Sequence, residues 1–126
     1  MLTDASVYAT IPARDFDRAK HFYKDTLGLQ MVEESPEGAS FLCGDTQLYV
    51  YPTFSEEIAG HTLASWVVAD LEAEMADLRD RGITFEEYDL PGFKTEGGIV
   101  EAGAERAAWF KDSEGNTLSI NERRPR

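Results

Sequence analysis

The residues able to do chemistry are few: two histidines, one cysteine, and a set of aromatic residues on alternating positions of strand-like runs. His61 lies two residues before Leu63, on the same face of a strand if that strand reaches back so far. A metal role for His61 needs further donors such as Glu122 or Asn121. These two alternate, so only one of them can share a given face. A surface histidine at the start of a strand is the commoner arrangement. His21, between Lys20 and Phe22 on a helical stretch, reads as solvated. Cys43 beside Gly44 has no cationic neighbour in sequence to activate it and reads as an inert thiol. As the only cysteine it supports neither an internal disulfide nor a cysteine-based zinc site.

The aromatic residues suggest a different chemistry. Period-two alternation puts Tyr8 opposite Val7 and Ile11, and Tyr49 and Tyr51 opposite Leu48 and Val50. If the aliphatic set packs against helices, the aromatic set lines the other face, with Phe41 as a further candidate. Rings with polar tips are what a small-molecule cleft uses. Trp109 shares a face with Lys111, and Ala108 with Phe110; alternation does not say which pair points inward. Trp66 is expected to pack under a helix. Thr117, Ser119 and Asn121 share one face of the last strand, where they either orient a ligand by hydrogen bonds or form ordinary exposed polar alternation.

Those residues need a framework, and the composition bounds it. The chain has 126 residues, 12 Lys/Arg against 24 Asp/Glu, and a net charge of −12, enough length for one domain. Such a charge works against nucleic acid and against anionic membranes, both of which call for a basic surface. The opening MLTDASVYAT has no basic stretch followed by an apolar one, and no apolar run approaches a membrane span. A cytoplasmic protein is therefore expected, and Arg123, Arg124 and Arg126 read as a solubilising tail.

Val7–Ile11 predicts a strand ended by Pro12. Asp15 predicts a helix N-cap, and Gly28 the close of that helix. Gln30–Glu33, Ala39–Cys43 and Gln47–Tyr51 follow as strands, separated by turn-forming residues. The order then recurs: a strand at Leu63–Val68, a cap at Asp70, a helix closed by Gly82, and strands at Ile83–Glu87, Arg106–Lys111 and Thr117–Glu122. Asp89–Glu105, with four Gly and one Pro, is expected to be a long loop. The pattern is an internal βαβββ duplication within a single domain, with modules of about 1–58 and 59–126.

The helix Arg18-Ala19-Lys20-His21-Phe22-Tyr23-Lys24-Asp25-Thr26-Leu27-Gly28-Leu29 and the turn from Trp109 to Leu118 resemble the vicinal oxygen chelate superfamily. That group includes glyoxalase I, extradiol dioxygenases and the fosfomycin- and bleomycin-resistance proteins. The resemblance implies an α+β fold of two tandem βαβββ modules forming a cup-shaped, incompletely closed mixed β-sheet barrel with helices outside. In metal-dependent members the cup holds a divalent ion on His, Glu or Gln. The corresponding positions here are Tyr8, seven before Asp15, Leu63, seven before Asp70, and Ser119, four after Gly115. Leucine has no lone pair and a neutral hydroxyl is a poor anchor, so the resemblance groups this chain with the metal-free members, with no cofactor. It further implies that Thr117, Ser119 and Asn121 look into the cup. In the loop Leu90–Gly98, Phe93 is a candidate lid and Lys94 a candidate anion contact. Homodimerisation is likewise implied.

The leading expectation is a metal-independent small-molecule-binding protein whose aromatic cup uses Tyr8, Phe41, Tyr49, Tyr51, Phe93, Lys94, Trp109, Ser119 and Asn121. Two other functions fit the same residues. One is a metal-dependent lyase, isomerase or dioxygenase with non-standard ligands such as His61. The other is a non-catalytic interaction domain.

Overall fold

Apolar residues at helical spacing behind an aspartate define both helices. In the computed structural model, which describes residues 1–123, the Asp15 carboxylate accepts the Arg18 amide at 3.0 Å and starts α1 (Phe16–His21). Asp70 accepts the Ala73 amide at 3.1 Å and starts α2 (Leu71–Asp80). Each cap satisfies an amide that the first helical turn leaves unpaired. Asp70→Ala is expected to lower stability by about 1 kcal/mol, and urea denaturation with an unchanged slope measures it. After α1 the chain widens into a π-helical turn, Phe22–Thr26, where the Leu27 amide donates to the Phe22 carbonyl at 2.9 Å. Tyr23 on this turn is fully buried and meets the ring of Phe41 at 5.9 Å. Gly28 and Gly82 close the two helical segments at φ 73° and 93°, where a Cβ would be strained.

The chain forms two compact units, Met1–Ile58 and a second that begins at Ala59. In the first, β1 (Ala9–Ala13), β2 (Gln30–Ser35), β3 (Gly38–Cys43) and β4 (Thr46–Pro52) form a sheet ordered β1-β4-β3-β2. β1 runs parallel to β4, and the other pairs are antiparallel. Pro12 does not end β1 but lies within it, opposite Tyr51. The strand is at the sheet edge, where a missing N–H is tolerated. Ile11, Ala13, Ala39, Phe41, Leu48 and Val50 are buried on one face, with Ala19 and Tyr23 of the helical segment.

The second unit repeats the plan. β5 (Thr62–Val67) and α2 are followed by a hairpin of β6 (Asp89–Leu90) and β7 (Phe93–Lys94), then by β8 (Val100–Ala102), β9 (Glu105–Lys111) and β10 (Thr117–Arg123). The sheet order is β5-β10-β9-β8, again with a parallel first pair. Apart from the separate β6–β7 hairpin both units read βαβββ, and the fold is α+β. The expected strand Ile83–Glu87 is reduced to one bridge, Phe85 to Phe110, and a bond from the Glu86 amide to the Trp109 carbonyl at 2.8 Å. β8 supplies the edge strand of the sheet instead, and the hairpin turning at Pro91-Gly92 lies between them. The expected loop Asp89–Glu105 is thus partly strand. Ala108, Phe110, Leu118 and Ile120 are buried with Leu71, Met75 and Leu78 of α2.

The β9–β10 turn is held by one carboxylate. Asp112 Oδ1 accepts the amides of Glu114 and Asn116, both at 2.8 Å, and Oδ2 accepts the Asn116 side-chain amide at 3.0 Å. Arg123 belongs to β10 rather than to a tail and pairs with Glu105 at 3.0 Å, whereas Arg124 and Arg126 lie outside the described residues. No helix among the described residues is long and apolar enough to cross a membrane.

Candidate functional site

Each sheet has a face turned away from its helix, and cross-strand register decides which side chains share it. In the first unit the register aligns Glu33 with Ser40, Ser40 with Tyr49, and Tyr49 with Thr10, a row across four strands. Tyr8, 56% exposed just ahead of β1, sets its ring edge-on to Tyr49 at 6.4 Å. Tyr51 lies two residues along β4 on the same side. Tyr49 is fixed at both ends. Its hydroxyl donates to the Glu37 carbonyl at 3.2 Å, and its ring lies so close over Gly38 that a Cβ there would overlap it. Beside them a recess of about 170 Å³ is lined by Glu33, Glu34, Ser35, Gly38, Ser40 and Tyr49.

Phe41 does not join this group. It pairs with Leu48 and is buried against Tyr23, on the helix side of the sheet. Its aromatic type suggested a cleft, but its strand position places it with the aliphatic set.

In the second unit Trp109 pairs with Ser119 and Lys111 with Thr117, which puts both opposite Phe110. Phe110 stacks on Trp66 at 6.4 Å and meets Phe85 at 5.7 Å, so Trp66 takes its expected place on the α2 side. On the other side, Trp109 meets Phe93 at 5.3 Å and Tyr88 at 6.0 Å, and Tyr88 meets Phe93 at 5.7 Å. Tyr88, which sequence reasoning missed, completes a cluster of three rings. Its only sequence signal is its place at the start of the inserted hairpin. Burial, with Glu86 nearby, raises the Tyr88 hydroxyl above the usual tyrosine pKa, so it stays neutral. Thr95 ties the hairpin down by accepting the Tyr88 amide at 2.8 Å.

The Trp109 indole donates to Thr62 at 3.1 Å, the Ser119 and Ser65 hydroxyls are 2.5 Å apart, and Lys111 donates to Thr117 at 2.6 Å. Asn121 shares the Ser119 face, while Glu122 points the other way and accepts the Leu71 amide at 2.9 Å. Lys94 is exposed on β7. It lines a recess of about 400 Å³ with Glu96, Ile99 and Glu101, and those two carboxylates would repel an anion there. His21 is exposed, 2.7 Å from Asp25, and Cys43 is partly buried.

A family model described as the Glyoxalase/Bleomycin resistance protein/Dioxygenase superfamily matches residues 6–120. The chain belongs to this superfamily. Among solved structures, the glyoxalase-superfamily fold recurs in a putative glyoxalase family protein from Bacillus anthracis, with a TM-score of 0.74, 15% identity and 93% of each chain covered. Lactoylglutathione lyase from Agrobacterium tumefaciens is similar at a TM-score of 0.67 and 20% identity, over 94% of this chain and 93% of that one. An antibiotic-binding protein, TnmS3 from Streptomyces sp. CB03234, is similar at a TM-score of 0.68 and 21% identity, over 95% and 98%. No curated protein matches the chain.

The superfamily's divalent-metal positions can be tested on the residues that fill them here. Tyr8 packs on Tyr49, Leu63 offers no donor, and Ser119 is bonded to Ser65. They do not fit a divalent ion. Among the described residues the one cluster of three His, Cys, Asp or Glu donors is Asp70, Glu72 and Glu122, which does not include the exposed His61. The Arg106 guanidinium already neutralises that cluster, bonded to Glu72 and 3.4 Å from Glu122.

Proposed function

We propose that this superfamily member binds a small organic molecule without a metal, holding it against aromatic residues on a sheet face turned away from its helix. The observation that carries this reading is the Tyr8–Tyr49 pair: two rings in edge-to-face contact, one of them half exposed, on a face beside a recess. Tyr51 extends that surface. In the second module Phe93 and Trp109 supply apolar area beside the hydrogen-bonding groups Ser119 and Asn121. The fold alone does not choose between functions, since a lyase and an antibiotic-binding protein are both similar to this chain. The residues at the metal positions favour binding over metal chemistry. Superfamily resemblance supports a homodimer, and the acidic composition supports a cytoplasmic protein with no nucleic-acid or membrane partner.

Two measurements test the reading. Protein purified without chelator should carry far less than stoichiometric metal, and titration with Zn²⁺, Ni²⁺ and Mn²⁺ should show no micromolar site. Near-stoichiometric metal lost in His61→Ala would overturn metal independence. In a thermal-shift screen of planar aromatic compounds, hits should bind about tenfold more weakly to Tyr49→Ala, ~1.4 kcal/mol. Unchanged affinity in both Tyr8→Ala and Tyr49→Ala would remove this face from the site.

A further inference from the structure

We propose that the recess at the β2–β3 end of the first module's open face takes the ammonium group of an amine-bearing small molecule. The inference rests on the ligand-face reading above and specifies the chemistry of one end of the ligand. Three side chains carry it: Glu33, Ser40 and Tyr49, neighbours in one cross-strand row that line the recess together. Directly opposed residues on a sheet have their Cβ atoms about 5 Å apart, so one small group can touch all three.

Ser40 is 8% exposed, and its hydroxyl makes no hydrogen bond among the described residues. Its oxygen is open to the recess, so a bound donor takes the place of water there. The Glu33 carboxylate has no ion-pair partner among the described residues, unlike its neighbour Glu34, which Lys20 holds at 3.5 Å. The separate N–H groups of an ammonium can donate to the Glu33 carboxylate and the Ser40 hydroxyl together. The Tyr49 ring adds the attraction of an aromatic face for a cation, and its hydroxyl bond to Glu37 fixes its position.

A metal ion fits these donors poorly. Two carboxylates, one of them already held by Lys20, and the hydroxyls of Ser35 and Ser40 fall short of the six to eight oxygens that calcium takes, and the Tyr49 hydroxyl is committed to the Glu37 carbonyl. The recess, about 170 Å³, accommodates an aminomethyl or methylated amine group but not a whole drug-sized molecule, which fills roughly 300–1,000 Å³. The remainder of the ligand would extend over Tyr8 and Tyr51. A net charge of −12 raises the local concentration of cations around the chain.

Nitrogen-15 NMR titration with benzylamine and its neutral counterpart benzyl alcohol tests the assignment. Benzylamine is expected to shift the amide signals of Gly38, Ser40 and Tyr49 and to bind about tenfold more tightly than the alcohol. Glu33→Gln should bring the two affinities to within about twofold without changing that of the alcohol, whereas Glu57→Gln should leave the preference intact. Equal affinities, with shifts still on this face, would overturn the ammonium assignment and leave the ligand face standing. Amine-induced shifts spread over the acidic surface and indifferent to Glu33→Gln would overturn it as well, as general charge attraction. If neither compound shifts Tyr8, Tyr49 or Tyr51, the ammonium site and the ligand face fall together.

Discussion

Phe110→Ala is expected to lower the free energy of unfolding by about 4 kcal/mol. Phe110 is fully buried in β9, stacked on Trp66 from β5 and edge-on to Phe85 from the segment after α2. Removing the ring takes away its own burial and leaves a cavity between two large neighbours on different elements, which limits how far they can close in. Phe110 is also the partner in the single bridge that fastens Phe85 to the sheet. Urea denaturation should show a lower midpoint with an unchanged slope. Amide exchange should accelerate around Phe85 before it does around Asp112, whose turn is held by bonds the substitution leaves intact. A loss below about 1.5 kcal/mol would mean that the neighbours collapse into the space.

Arg106→Ala is expected to cost about 3 kcal/mol. Arg106 faces Glu122 on β10 and Glu101 on β8, and its guanidinium also grips Glu72 of α2. Its side chain is 13% exposed and that of Glu122 17%, so their charges are little screened, whereas Glu72 and Glu101 are more than half exposed and contribute less. Removal leaves three carboxylates around a vacated cation site. Glu122 also accepts the first amide of α2, so the damage should concentrate at that helix terminus. Arg106→Lys, which keeps the charge without the planar fork, should lose less. Adding Glu122→Gln to Arg106→Ala should recover about 1 kcal/mol, because one unpaired charge disappears.

The pH dependence has a definite sign. Hydrogen bonding to Glu72 raises the guanidinium pKa further, against a smaller opposing effect of burial. A raised pKa gives stability that is complete below the unfolded-state value and is lost only as pH climbs through the folded-state one. That window lies beyond the alkaline limit of most folded proteins, so the mutant's deficit should be flat from about pH 6 to 9. A deficit that changed steeply with pH in that range would point to the carboxylates instead.

Much of this molecule was legible in its residues. Asp15 and Asp70 announced both helices because a short carboxylate ahead of an apolar helical face has one good use there. The βαβββ order followed from alternation and turn chemistry. Alternation, however, separates two faces without naming them. Phe41 went to the wrong side for that reason, although the two-residue turn Gly44-Asp45 carried the missing information. A hairpin closed by those residues pairs Cys43 with Thr46 and therefore Phe41 with Leu48. The same count aligns Ser40 with Tyr49 and would have shown the recess-lining serine. The split edge strand was harder. Glu86 and Phe85 bond to β9 only where the chain passes it, and the inserted hairpin depends on Thr95 and the three clustered rings, contacts that no local period encodes. Tyr88 belongs to the same category.

The close approach of Tyr49 to Gly38 bears on how the chain finds its alignment during folding. Sliding β3 past β4 by one residue would turn Phe41 out of the core, and hydrophobicity alone forbids that. Sliding by two keeps every side chain on its own face, so the apolar pattern is blind to the error. Shifted that far, the Tyr49 ring would lie over Ser40 or Pro36, where side-chain atoms occupy the space that Gly38 leaves open. The ring and the glycine thus act as a gauge for the one misalignment that burial cannot detect, and the contact that shapes the recess also proofreads the hairpin.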